Sequence, residues 1–370
     1  MKMAFGVGRE PFDVYKFVLP PGIKVITNRD MQGTHASFHY RDADLLLFQA
    51  EFGCDNFDMR LGRYIKVVKH GSAFCFEQEF LGRKASIYIE GLEEKQTKLY
   101  ISNYDNVVKI PLPMRDLVRV GDLVNSVLLI KAIQQGWLLA HGATLVAEEH
   151  GGILISSYPD TGKTTTIYQL SQIKGFTPLS DDLAWISREG EFVGEGVGPL
   201  SIYSLAELEA FRKHVKFPKI RTSLASLLRY IYYLPYAPQF LLKLSDKLVV
   251  LAKQPQLDYI KTKYNIEKHK CNYMFVLELG RKEIIRLEHD IAAKKFLEIC
   301  RREHYYLNHN FILLTYSYLS NDFDLEKVYH ERERIIRDFT RKVQPYIIRA
   351  PHPRDFAKLI IQVLERSGEV

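Results

Sequence analysis

Two short stretches of this chain carry the residue types best suited to chemistry. The first is Ser157-Tyr158-Pro159-Asp160-Thr161-Gly162-Lys163-Thr164, followed by Thr165. A glycine turn that delivers a lysine and a hydroxyl to the start of a helix suits a polyphosphate. Amides at a helix start have no intrahelical partner and can donate to phosphate oxygens. Lys163 would place its charge on the β- and γ-phosphates, and Thr164 would offer its hydroxyl to Mg2+. The second stretch is Leu179-Ser180-Asp181-Asp182. Of two adjacent carboxylates, one can hold Mg2+ while the other accepts a proton from an attacking hydroxyl.

These residues need elements to position them. The apolar run Gly152-Ile153-Leu154-Ile155-Ser156 reads as a strand, and Thr165 to Ile173 reads as a helix. Strand, loop and helix in that order are the setting a phosphate loop requires. Only one helix fits between Lys163 and Asp181, so the two are expected on neighbouring strands of one sheet. The loop departs from G-x-x-x-x-G-K-[ST] at Ser157, which stands where the first glycine belongs. Pro159 brings no N–H and adds rigidity. The plainer readings are a strand-to-helix turn and an acidic turn that caps the next element. The closeness of the two stretches in the chain weighs against both.

The stretch His141-Gly142-Ala143-Thr144-Leu145-Val146, the strand Gly151 to Ser156, the loop, the helix and Leu179-Ser180-Asp181-Asp182 together resemble the catalytic core of HPr kinase/phosphorylase. They are similar, more distantly, to ATP-dependent phosphoenolpyruvate carboxykinase. The resemblance covers residues 140 to about 200. It implies an α/β fold with a P-loop core of that type, and ATP and Mg2+ as ligands. Lys163 matches the loop lysine and Thr164 the metal-coordinating hydroxyl. Asp181 and Asp182 match the acid pair, one a general base and one a metal ligand; Asp181 is taken as base and Asp182 as metal support, though the resemblance leaves their order open. Glu195, before Gly196-Val197-Gly198, matches a second metal carboxylate, and its plainer reading is an exposed turn acid. His141 matches a histidine near the transferred phosphate, or is a hydrogen-bonded histidine at a strand end. Family members often form multimers, which implies a homo-oligomer. The HPr-docking signature of the family is not recognisable here.

Composition sets outer bounds. With 370 residues, 46% hydrophobic and 12% aromatic, the chain can bury more than one core. A net charge of +7 is compatible with anionic ligands and selects none of them. Cys54, Cys75, Cys271 and Cys300 form no C-x-x-C pair and are expected to be buried free thiols. The N-terminus lacks the apolar core of a secretion signal. No apolar run approaches the length of a spanning helix. A reduced cytoplasmic setting is the expectation.

Along the chain, residues 1 to about 115 alternate as strands do, at Tyr15 to Leu19, Ser86 to Ile89 and Lys98 to Ile101. A β-rich part over 1–115 and a kinase-like domain over 116–370 are expected. A helix over Arg115 to Gln135 should end at Gly136. The segment 219–253 is apolar, aromatic and basic. It reads as a lid, a substrate insert or a membrane-surface contact, or as a buried helical hairpin or oligomer face, and the second pair carries more weight. Tyr273 to Leu279 reads as a core strand that could pair with Ile284 to Leu287 in a hairpin. A helix follows over Ile291 to His304, and the part from Phe311 to Val370 reads as helical.

The expected function is Mg2+-dependent transfer of the γ-phosphoryl of a nucleoside triphosphate, ATP foremost, to a hydroxyl. The acceptor is not legible. The alternative is a nucleotide-binding regulatory module without transfer, for which Ser157 is the best argument. Nucleic acid has only the net charge in its favour.

Overall fold

The computed structural model describes residues 15–19, 21–28, 34–35, 39–49, 58–61, 65–80, 83–102, 120–159, 161–194, 200–201, 256–257, 267–301, 307 and 310–367. Asp160, Glu195 to Gly198, Cys54 and the segment 219–253 lie outside them. The described residues form a mixed α/β protein.

The strands are β1 (Tyr15–Leu19), β2 (Ile23–Thr27), β3 (Thr34–His35), β4 (Leu45–Gln49), β5 (Met59–Leu61), β6 (Ile65–His70), β7 (Ala73–Phe80), β8 (Arg83–Glu90), β9 (Thr97–Ile101) and β10 (Trp137–His141). They continue with β11 (Ala143–Ala147), β12 (Gly151–Ser157), β13 (Phe176–Ser180), β14 (Leu183–Ser187), β15 (Glu191–Gly194), β16 (Leu200–Ser201), β17 (Gln256–Leu257), β18 (His269–Leu279), β19 (Glu283–Arg286) and β20 (Gln344–Ala350). The α-helices are α1 (Val120–Gln134), α2 (Lys163–Ser171), α3 (His289–Cys300), α4 (Phe311–Leu319), α5 (Leu325–Lys342) and α6 (Phe356–Ser367).

Two compact units emerge: Met1–Gln134 with Tyr306–Val328, and Gln135–Tyr305 with Tyr329–Val370. This division differs from a single cut near residue 115, because α1 and α4 cluster with the N-terminal strands.

In the first unit the strand order is β3-β1-β2-β4-β9-β8-β7-β6-β5. Alternation sets the faces: Thr97, Leu99 and Ile101 of β9 are buried, while Lys98 and Tyr100 are half-buried. Phe17, Val25, Phe74, Phe76 and Leu99 lose all contact with water, as do Leu123 and Val127 of α1. Asn310 caps α4 by accepting a hydrogen bond from the Leu313 amide at 3.2 Å. Tyr316 of α4 then packs its ring on Phe74, with centroids 4.7 Å apart. Gly136, at φ 80°, ends α1 in a conformation that favours glycine.

The second unit holds the order β10-β14-β15-β18-β12-β11-β13, with β20 also beside β18 and β19 beside β20. Strands β12, β18 and β20 run parallel. Central β18 is buried almost continuously from Tyr273 to Leu277, as a covered parallel strand should be. One face of this trio, with Ile153, Ile155, Phe275 and Ile348, shares a core with Ile167 and Leu170 of α2 and Phe356 and Ile360 of α6.

Three expectations are corrected. The strand from Tyr273 and the one from Ile284 do not pair as a hairpin, because β20 lies between them and bonds to both. The C-terminal part holds the helices α4, α5 and α6, with β20 between the last two. Lys163 and Asp181 are not on neighbouring strands, since β11 separates β12 from β13. Cys75 is disulfide-bonded rather than a free thiol, which removes one support for a reduced setting. Cys271 and Cys300 are free and buried as expected. Among the described residues no helix is long and apolar enough to cross a membrane.

Candidate functional site

The site forms where the chain twice crosses between two pairs of strands. Strands β11 and β13 pair with each other, and so do β10 and β14. One residue, Gly142, joins β10 to β11, and two residues, Asp181 and Asp182, join β13 to β14. The crossings lie side by side: the Gly142 amide donates to the Asp182 carbonyl at 2.8 Å. Hydroxyls brace them. Ser180 Oγ accepts from the Thr144 amide at 3.1 Å and lies 2.7 Å from Thr144 Oγ1. Ser156 Oγ donates to the His141 carbonyl at 2.7 Å. The positions of His141 and of the acid pair are thus fixed through backbone that cannot easily shift.

The phosphate-loop candidate leaves the end of β12 and turns into α2 at Gly162. That glycine has φ 118° and ψ 17°, outside the range an L side chain readily adopts. A Cβ there would also stand 2.5 Å from Pro353 Cβ. The first intrahelical bond of α2 runs from the Thr166 amide to the Gly162 carbonyl at 3.0 Å. The amides of Lys163, Thr164 and Thr165 precede it, as at any helix start. Ser157 is 1% exposed, and its hydroxyl donates to the Tyr158 carbonyl at 3.0 Å. The serine therefore sits inward, bonded to the loop's own backbone. Tyr158 is 56% exposed at the rim. Pro159 is exposed, Thr164 is half-buried, and Thr161 and Thr165 are buried.

Lys163 is buried, yet its ammonium has a carboxylate beside it. Nζ lies 2.5 Å from Asp182 Oδ1 and donates to the Asp182 carbonyl at 3.3 Å. His141 Nδ1 lies 3.7 Å from the same Oδ1. Asp182 is itself 63% exposed although its Oδ1 meets the lysine. The Asp181 carboxyl is pushed up from 3.8 to about 6. Burial is the main cause; Lys163 works against it and the neighbouring Asp182 charge adds to it. The two adjacent carboxylates thus sit in different environments, Asp181 the more buried and Asp182 the more exposed.

Lys163, Asp181, Asp182 and His141, singled out from sequence, are gathered at one place. Gly142, Thr144, Ser156 and Ser180 stand in the stretches quoted from the sequence but had no role there; in the structure they support the site through their hydrogen bonds. The turn Pro353–Asp355, which touches Gly162, was passed over. Its Pro351-His352-Pro353 punctuation is the mark that could have found it.

The residues present suit Mg2+, which keeps several waters and takes one or two carboxylates alongside substrate phosphates. The exposed Asp182 carboxylate and the Thr164 hydroxyl are hard oxygen donors of that kind. Among the described residues no group of three or more His, Cys, Asp and Glu side chains is placed to hold a metal. Comparison of the chain with protein-family models and with curated proteins finds no match.

Proposed function

We propose that this chain is a kinase that moves the γ-phosphoryl group of a nucleoside triphosphate, ATP foremost, onto a hydroxyl acceptor with the help of Mg2+. Its second unit is then a P-loop core of the HPr kinase and carboxykinase type. The observation that carries the reading is the meeting of Lys163, at the first turn of α2, with an acid pair of which Asp181 is the more buried and Asp182 the more exposed. Simple structural turns have no need for a buried lysine, a strained glycine and a carboxyl held near neutrality at one point.

In this reading the loop amides and Lys163 bind the phosphates and stabilise the charge that builds up during transfer. Thr164 and Asp182 would hold Mg2+, which would supply further neutralising charge when bound. Asp181 takes the acceptor's proton as the hydroxyl oxygen bonds to phosphorus and the bond to the leaving diphosphate breaks. His141 lies beside Asp182, near where the phosphoryl group would pass. Most of the acceleration would come from positioning.

The test is a metabolite-pool screen with labelled nucleoside triphosphate, run with the native protein and with Asp181→Asn. Product formed only by the native protein supports the kinase and names the acceptor class. Tight nucleotide binding without loss of the γ-phosphate in any pool would favour the regulatory module instead.

A further inference from the structure

We propose that Arg354 is a phosphate-binding residue of this site and grips the polyphosphate chain of the nucleotide. The proposal rests on the kinase reading above and extends it to a residue far along the chain.

The argument begins with charge. Lys163 is the lysine of the loop, and its ammonium already lies 2.5 Å from Asp182 Oδ1. This pair therefore brings no net positive charge to a ligand that carries several negative ones. A cationic side chain beyond this pair would add to the charge that Mg2+ brings with the nucleotide.

The fold brings one to the same place. Strand β20 runs parallel to β12 and β18, and all three end at one edge of the sheet: Ser157 pairs with Leu277, and Leu279 with Ala350. Ligands of parallel sheets bind at such carboxyl edges. Beyond β20 the chain turns back over the loop. A Cβ on Gly162 would stand 2.5 Å from Pro353 Cβ and 3.2 Å from its Cα, so the turn rests directly on the glycine before Lys163. Arg354 is the next residue and is exposed.

Its backbone is held on both sides. Pro353 sits against Gly162, the Asp355 amide donates to the His352 carbonyl at 3.0 Å, and Phe356 is wholly buried at the start of α6. Asp355 lies in the turn that leads into α6, where a helix start favours a carboxylate. Arg349, on β20 itself, is committed to structure. Its Nε donates to Glu278 at 2.9 Å and its Nη1 to Glu283 at 2.8 Å. Arg354 has the fork that suits phosphate oxygens, on a backbone fixed beside the loop that would receive them.

The experiment is calorimetric titration of the full chain with Mg–ATP and Mg–GTP, alongside Arg354→Ala, Arg354→Lys and Arg354→Glu, with thermal melts of each. The expected result is a loss of about tenfold to a hundredfold in affinity for Arg354→Ala, a smaller loss for Arg354→Lys and a larger one for Arg354→Glu, with melting midpoints unchanged. Wild-type affinity in Arg354→Ala overturns the proposal. So does a loss that comes with a matching fall in melting midpoint, which would make the residue structural. A wild-type protein that takes up neither nucleotide fails the kinase reading itself, a different result from binding that ignores Arg354.

Discussion

Lys163 Nζ and Asp182 Oδ1 stand 2.5 Å apart, so the residue best suited to a nucleotide's phosphates is already paired with the carboxylate best suited to its metal. The buried ammonium is thereby paired with a carboxylate at the place where, on the proposed reading, a polyanion would enter. Any phosphate that takes the lysine has to compete with Asp182.

Asp182→Asn should therefore change nucleotide binding in opposite directions with and without metal. Without Mg2+, the variant should bind ATP about tenfold more tightly than the wild type, the scale of one charge-assisted contact. With Mg2+, the gain in affinity that metal is expected to give the wild type should shrink, because the proposed metal ligand is gone. Fluorescence or calorimetric titration in EDTA and in excess Mg2+ measures both arms. Weaker binding of metal-free ATP by the variant would contradict the competition.

Asp181 gives a pH signature. Its carboxyl titrates near 6 in the folded protein against an ordinary value of 3.8. As a base it must be ionised, so turnover should fall as pH drops through about 6, tenfold per pH unit well below it. Stability moves the other way. Between 3.8 and about 6 the native state holds more protons than the unfolded chain, so stability falls as pH rises, and the cost is complete above 6. Asp181→Asn should then be more stable than wild type at pH 7.5, on the order of 1–3 kcal/mol, and equal to it near pH 3.5. Urea unfolding at the two pH values measures this, and an equal difference at both would contradict it.

Gly162→Ala should damage both the loop and its support. The backbone there has φ 118°, and the added methyl would collide with Pro353. A loss on the order of 1–3 kcal/mol is expected from strain and displacement. Nucleotide affinity should fall as well, since the turn and the helix start move together. Thermal unfolding alongside titration checks both, and a variant with native melting would show that the turn yields freely.

Lys131 makes an independent prediction in the first unit. Its side chain is 1% exposed, and Nζ donates to the carbonyls of Leu92 and Glu94 and to Gln134 Oε1. Burial lowers its pKa from 10.5 to about 8, against the pull of Asp44, Glu93 and Glu94. Between those values the unfolded chain binds more protons, so stability should rise with pH from about 8 to 10.5. The slope should vanish in Lys131→Met. Denaturation midpoints at pH 7.5 and 9.5 test this, and a wild type with no slope contradicts it.

The local parts of the site were legible in the sequence. A glycine before lysine, an apolar strand before it and two acids after one helix are short-range patterns, and β12, α2 and the Asp181–Asp182 crossing follow them. Long-range pairing was not legible. Strand β20 contains Pro345 and Arg349 and follows the charged helix α5, so nothing local reveals that it enters the sheet beside β18. Its insertion also undid the hairpin that neighbouring strands would ordinarily form. The return of α4 to the N-terminal strands depends on Tyr316 meeting Phe74, residues far apart in the chain. The turn at Pro353 became meaningful only through the space left by Gly162.

The central claim is that Lys163 receives a nucleotide's phosphates, and calorimetry with Mg–ATP and Mg–GTP on native protein and Lys163→Ala tests it most directly. The account predicts saturable heat with at least one nucleotide for the native protein, and loss of that heat in a variant that still melts as a folded protein. Equal binding by both proteins, or no heat from the native protein with either nucleotide, would contradict it.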